Sequence, residues 1–327
     1  MNRWENELQN SIMDINDHRL SHLKKFQVDS SIQSVIAQYP FLITNHLLNL
    51  MSCNEPFDPI RIQFIPNACE NIISNEETTD PLNEIDYSPV PGLIHKYRNR
   101  VLLMVSQYCA ANCRFCFRKH LHIKNRLSRE TPFNLPKILD YIWRHHTLNE
   151  VILSGGDPLI LTDDKLEEIL VSCRKIPHID IIRIHTRVLT SIPFRITESL
   201  CQILQKYSPI WLVTHFNHLR EITSESRLSL EKLSRSGIPL LNQTTLLKNV
   251  NDSYEIQKEL NLELVRCRIK PYYIHLLDPA PGTSHFRVSD EFAGRIINKL
   301  RQHLQGYAVP QLVRDIPGSA SKTLMSK

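Results

Sequence analysis

The sequence predicts an α/β fold: a partial (βα)6 barrel with an N-terminal helical extension and a short C-terminal tail. Three observations lead there. From about residue 100 onward, short apolar or β-branched runs alternate with segments of helical period, the pattern of parallel strands joined by right-handed crossovers. Six such units are too few for a closed eight-stranded barrel and too uniform for a doubly wound sheet with a reversal. Glycine supplies only 8 of 327 residues, about a third of its usual share of roughly 7%, which excludes Gly-rich linkers and collagen-like or low-complexity architecture.

In chain order, residues 1–90 hold polar amphipathic pieces, several prolines and the acidic stretch Asn75-Glu76-Glu77-Thr78-Thr79-Asp80. They read as a helical and loop-rich extension ending in a linker, which leaves 91–327 as the core. Strands are expected at Val101–Ser106, Val151–Leu153, Ile181–Ile184, Trp211–Thr214, Leu240–Gln243 and Tyr272–His275, where β-branched and apolar residues cluster. Helices are expected near 134–146, 163–175, 197–206, 224–236, 253–265 and 290–304.

Composition narrows the class. Lys and Arg total 39 against 34 for Asp and Glu, a net charge of +5 that is too mild and too scattered to imply nucleic acid. No apolar run reaches membrane-spanning length, and the opening Met1-Asn2-Arg3-Trp4-Glu5-Asn6-Glu7 lacks the apolar stretch of a secretory signal. A cytosolic protein is expected. Five of the eight cysteines, Cys53, Cys69, Cys173, Cys201 and Cys267, are scattered singly, so they do not form a disulfide framework.

Chemistry collects where such strands end. The expected strands run into Ser106-Gln107, Ser154-Gly155-Gly156-Asp157, His185-Thr186-Arg187, His215-Phe216-Asn217-His218, Asn242-Gln243 and Asp278. Any one could be an ordinary polar loop, but six at one face make a composite site.

Cys109-Ala-Ala-Asn-Cys113-Arg-Phe-Cys116 follows the first strand. Three thiolates within eight residues select zinc, Cu(I) or an iron-sulfur cluster. A zinc site would take a fourth ligand from His120 or His122, and unligated thiols flanking charged Arg114 would be odd core residues. A 4Fe-4S cluster held by three cysteines, with one iron open, is the better account.

This C-x3-C-x2-C spacing, with aromatic Phe115 before its last cysteine, resembles the radical S-adenosylmethionine superfamily. The resemblance implies that S-adenosylmethionine chelates the open iron and yields a 5'-deoxyadenosyl radical. Ser154-Gly155-Gly156-Asp157 resembles the superfamily segment that receives the methionyl amine, and glycine permits close backbone approach there. Leu93-Ile-His-Lys-Tyr-Arg-Asn-Arg-Val-Leu-Leu, Cys116-Phe-Arg118, Ile184-His-Thr-Arg187, His215-Phe-Asn-His218, Leu241-Asn-Gln-Thr-Thr245, Pro271-Tyr-Tyr273 and Gly306-Tyr-Ala-Val-Pro310 are similar to lysine 2,3-aminomutases over roughly residues 90–323. They are most similar to the bacterial subgroup that makes (R)-β-lysine for elongation factor P.

The family resemblance implies pyridoxal 5'-phosphate carried on Lys322, in Pro317-Gly318-Ser319-Ala320-Ser321-Lys322-Thr323, which by itself would read as a solvated tail lysine. Asp278 and Asp315 match the carboxylates that hold the substrate ε-ammonium, since two carboxylates in a closed site require a cation. Arg118 matches the arginine that grips the substrate carboxylate bidentately. Lys96 and Arg100 resemble the pair that meets the cofactor phosphate, with Lys96 where clostridial-type relatives have arginine; His215 and Gln243 match residues of the cofactor or adenosyl pocket.

The implied reaction moves the amino group of L-lysine from C2 to C3, fed by an electron donor of flavodoxin or ferredoxin type, with an indirect link to elongation factor P and its β-lysine ligase. Competing readings are an aminomutase acting on arginine or glutamate, an iron-sulfur redox or sensor protein, and a zinc-stabilised module. The glutamate reading sits badly with the two carboxylates. The five residues after Lys322 and the Gly-Ser-Ala-Ser before it leave the expectation of the short, elongation-factor-linked form.

Overall fold

Helices of the core begin where the sequence offers a side-chain oxygen to a free backbone N–H. Asn134, Thr162, Thr197, Thr223, Ser253 and Ser289 each accept from an N–H in the first turn of the helix they precede. The computed structural model describes residues 2–23, 27–55, 57–120 and 133–325; His122 lies outside them.

One nine-stranded sheet runs in sequence order, β1 (Leu93–Tyr97), β2 (Arg100–Ser106), β3 (Glu150–Gly155), β4 (Ile181–His185), β5 (Ile210–Thr214), β6 (Leu240–Thr245), β7 (Ile269–His275), β8 (Gln311–Arg314) and β9 (Thr323–Leu324). Strands β2 through β8 are parallel neighbours. Strands β1 and β9 pair antiparallel at the two margins. Six units of strand then helix therefore stand where the sequence places them, with helices at Leu135–Arg144, Asp163–Arg174, Glu198–Lys206, Ser224–Arg235, Tyr254–Arg266 and Asp290–His303. Strands β1, β8 and β9 are additions to the sequence expectation.

Strand alternation sorts the side chains onto two faces. Val151, Leu153, Ile182, Ile184, Ile210 and Leu212 face outward into one core with helix residues such as Leu166, Leu170, Leu200 and Leu204. The inward positions carry polar groups instead, as with Arg183 and His185 on β4 or Gln243 and Thr245 on β6.

Residues before the barrel have an apolar cluster of their own, including Ile12, Phe41, Ile43, Leu47, Ile60 and Phe64, and it reaches Ala111 in the cysteine loop. Two backbone hydrogen bonds fasten that loop, Asn112 N to Leu42 O at 2.9 Å and Arg114 N to Gln63 O at 2.9 Å. The acidic stretch is tied down as well. Glu77 accepts from the backbone N–H groups of Gly282, Thr283 and Ser284, and Thr78 N donates to Pro279 O at 2.9 Å.

Glu70 is fully buried and Arg114 is 1% exposed. Arg114 Nε donates to Glu70 Oε1 at 2.9 Å and NH2 to Oε2 at 2.7 Å, while Lys119 Nζ reaches Oε2 at 3.2 Å. Burial works against this carboxylate, but Arg114 and Lys119 outweigh it and hold its pKa below the ordinary value. The stabilisation is therefore present above the ordinary carboxylate range and lost as pH falls through the depressed folded value. Glu70→Gln strands two buried cations and is expected to cost about 3–5 kcal/mol, read as a lowered midpoint in urea or thermal unfolding.

Candidate active site

Every residue to which the family resemblance gives a role lines one cavity of about 370 Å³, whereas Ser106, Gln107, Asn217, His218 and Asn242, also singled out at strand ends, are not among its lining residues. Cys109, Cys113 and Cys116 follow β2, Ser154 to Asp157 end β3, and His215 and Gln243 come from the ends of β5 and β6. Lys96 and Arg100 flank the β1–β2 turn, Asp278 follows β7, Asp315 follows β8 and Lys322 precedes β9. The parallel strands put their C-terminal ends at one rim, and the antiparallel margins β1 and β9 bring Lys96 and Lys322, 226 apart in sequence, to the same carboxylate, Asp315.

The three thiols are held high in pKa by burial, Cys116 at about 11 and Cys109 well above its ordinary value, so they ionise only alongside a positive centre. Among the described residues no group of three His, Cys, Asp or Glu side chains is placed to hold a single metal ion, but the three thiols lie close enough to raise one another's pKa. Arg187, part of the polar triplet after β4, donates from NH1 to Cys113 Sγ at 2.7 Å. Gln63 Oε1 receives its NH2 at 2.6 Å. Arg114 turns away from the thiols to Glu70, which accounts for a charged residue between two cysteines.

Gly155 and Gly156 are required by the protein itself. A Cβ on Gly155, at φ +111°, would overlap the Ser106 carbonyl, and one on Gly156 would overlap the Tyr108 carbonyl. Gly156 N donates to Ser106 O at 2.6 Å and Asp157 N to Tyr108 O at 2.7 Å, so the end of β3 is zipped to the start of the cysteine loop. This close fit to the cysteine loop is a constraint beside the one expected from a cofactor. Asp157 is fixed as well: its carboxylate accepts from Thr186 Oγ1 at 2.7 Å, Arg187 N at 2.6 Å and Leu159 N at 3.0 Å, so it holds the β4 loop.

At the other charged cluster Lys322 Nζ donates to Asp315 Oδ2. Tyr97 OH donates to Asp315 Oδ1 at 2.7 Å and Lys96 Nζ lies 3.8 Å away. Burial opposes ionisation of Asp315, but Lys322 and Tyr97 hold its pKa near about 2. Asp278 stands the other way, pushed up to about 7 by burial and by Asp315. Lys322 is not in a frayed tail. Thr323 and Leu324 pair with Arg314 and Val313, and Met325 N donates to Leu312 O at 2.9 Å.

Arg118 is met by Glu84, whose Oε2 accepts from Nε at 2.8 Å and whose Oε1 accepts from NH2. Neither Glu84 nor Tyr97 nor Arg187 was assigned a role from sequence. Tyr97 and Arg187 sat inside noted motifs, whereas Glu84 lay in the segment read as linker.

His185, His215 and His275 are pushed down in pKa, chiefly by burial and then by neighbouring cations, His275 to about 3. They are neutral. Lys96 Nζ, His185 Nε2 and His275 Nε2 are buried without a hydrogen-bond partner, capacity that a polar ligand in the cavity would use.

Comparison with known proteins agrees with this geometry. Residues 103–257 match the Radical SAM superfamily. The chain is 41% identical over 324 residues to the L-lysine 2,3-aminomutase of Methanococcus maripaludis, spanning 98% of this chain and 75% of that protein. The chain belongs to the lysine 2,3-aminomutase family of radical SAM enzymes. The L-lysine 2,3-aminomutase of Clostridium subterminale is 39% identical, over 98% of this chain and 77% of its own length. The crystal structure of Streptococcus suis SuiB bound to S-adenosylmethionine shares the fold, with a TM-score of 0.50 at 15% identity over 68% of this chain and 52% of that one.

Membership of this radical SAM family implies a 4Fe-4S cluster and S-adenosylmethionine, and the residues fit them. Three half-buried thiols and a guanidinium on one sulfur suit a cluster, and the rim of β3, β5 and β6 offers the adjoining wall. Gly156→Ala is expected to displace the Tyr108 backbone and lower the iron and sulfide bound per chain after anaerobic reconstitution, with far-ultraviolet circular dichroism little changed.

Proposed function

We propose that this enzyme converts L-lysine to (R)-β-lysine, with pyridoxal 5'-phosphate carried on Lys322, and that the product serves modification of elongation factor P in the cytosol. The observation that carries the reading is that one cavity holds the three thiols, a guanidinium, and an ε-amino group set among two aspartates. When bound, the cluster and S-adenosylmethionine supply a hydrogen-abstracting 5'-deoxyadenosyl radical, and pyridoxal phosphate supplies a π system across which nitrogen migrates from C2 to C3.

The chain's own groups bind and orient. Lys322 provides the primary amine for the cofactor aldehyde, and Lys96 and Arg100 the positive charge for its phosphate; Lys96 Nζ is buried with no hydrogen-bond partner to leave. With its amine engaged by the cofactor, Lys322 would leave Asp315 with Lys96, 3.8 Å away, as its cationic neighbour, and a substrate ammonium beside Asp315 and Asp278 would be favoured. Arg118 meets the substrate carboxylate, which fixes the chain at both ends and limits the migrating nitrogen to one path. The burial that keeps the histidines neutral also excludes water from a radical.

The elongation factor P link rests on the sequence resemblance to that subgroup. Anaerobic incubation with reductant, S-adenosylmethionine and L-lysine, with chiral chromatography of the product, is expected to give (R)-β-lysine; the same assay with L-arginine is expected to give no β-amino acid. Lys322→Ala is expected to lose both turnover and the visible absorbance of enzyme-bound pyridoxal phosphate.

A pH dependence follows from Asp278. Its carboxyl is raised to about 7, first by burial and then by Asp315, against Lys322 and Lys96 and with a further contribution from Glu84. The ionised form binds the ammonium, so lysine affinity is expected to fall by up to about tenfold per unit as the pH drops below about 7. In Asp278→Asn the affinity is expected to be lower and this slope flat, as measured by equilibrium dialysis across the range.

A further inference from the structure

We infer that Glu84 is a positioning residue for substrate recognition: it fixes the plane of the Arg118 guanidinium so that its remaining end meets the carboxylate of lysine. The inference rests on the reading of Arg118 given above.

Glu84 is held before any substrate arrives. Asp80 folds the turn, with Oδ1 accepting from Glu84 N at 2.8 Å and Oδ2 from Ile85 N at 2.9 Å. This puts Leu82 and Glu84 on the cavity wall. Glu84 takes the side edge of the guanidinium, Nε and NH2. The group lies over the Phe117 ring at 4.6 Å, and among the described residues NH1 makes only a 3.4 Å contact, to Gly155 O.

A guanidinium presents two bidentate edges to carboxylates, the side edge and the terminal edge. With the side edge on Glu84, the terminal edge is the one left for a ligand, and it lies beside the Gly155 carbonyl at the end of β3. Burial is the reason the second carboxylate is needed. Arg118 and Glu84 side chains are 9% and 17% exposed, and an unpaired guanidinium there would be costly. Glu84 is the carboxylate that its Nε and NH2 meet, and without Glu84 the guanidinium would lose the partner that sets its plane.

The test compares L-lysine with 1,5-diaminopentane, which is lysine without its carboxylate. Holoenzyme reconstituted anaerobically, kept without reductant so that nothing turns over, is dialysed to equilibrium against each labelled ligand. Wild type is expected to bind lysine the more tightly. Glu84→Ala is expected to weaken lysine about tenfold and leave diaminopentane within about twofold. Glu84→Gln, which keeps the shape and one acceptor, is expected to fall between.

An unchanged lysine preference in Glu84→Ala would overturn the inference. So would tighter lysine binding, which would make Glu84 a competitor of the substrate, or equal weakening of both ligands, which would make it a general structural prop. If wild type itself shows no preference for lysine, the reading of Arg118 fails, and the inference with it.

Discussion

The buried carboxylate of Glu70 is the constraint on which the rest of the site depends. A loop that must present three thiols within eight residues also contains Arg114 and is followed by Lys119, two cations that are buried and so require a carboxylate partner. Glu70 draws both to the far side of the loop. Lys119 also donates to Gly282 O at 3.0 Å, in the same loop whose N–H groups Glu77 receives. The acidic segment thus joins the loop after β2 to the loop after β7, two places a complete barrel would link through further strands. Buried ion pairs of this kind add little net stability against an apolar alternative, but they fix one arrangement among many.

The six strand–helix units of the barrel were legible in the sequence because they rest on local signals, β-branched runs and amphipathic period, whereas Lys322, Arg118 and Asp315 on the cavity wall were marked by family resemblance and by no local signal. What escaped was set by long-range pairing. Strand β1 carries His95 and Lys96 and looks polar, β8 has four residues and β9 has two, so each is a strand only because a neighbour supplies the ladder. The packing of Gly155 and Gly156 against the carbonyls of Ser106 and Tyr108 is also absent from the sequence, since no pattern shows which backbone will press against them. Glu84 carried no signal at all: its meaning comes from Arg118, and the two are separated by both strands of the β1–β2 hairpin and the cysteine loop.

Inside the cavity charge is economised. Three histidines that could carry protons are kept neutral by burial and by the cations around them, so they offer donors and acceptors without altering the net charge. Two of the charged groups are matched in pairs, Arg118 with Glu84 and Lys322 with Asp315. Asp278, raised in pKa to about 7, changes state near neutrality.

The antiparallel strands at the margins of the sheet have a mechanical consequence. An incomplete barrel has a seam, and here its two lips are β1 and β9. Tyr97 on one lip is hydrogen-bonded to Asp315, which stands at the turn that leads into the other, and Lys322 on that second lip is bonded to the same carboxylate. The latch of the barrel and the proposed site for a substrate ammonium are one group of atoms. Parting the lips breaks the contacts to Asp315, so the seam cannot breathe without the site registering it.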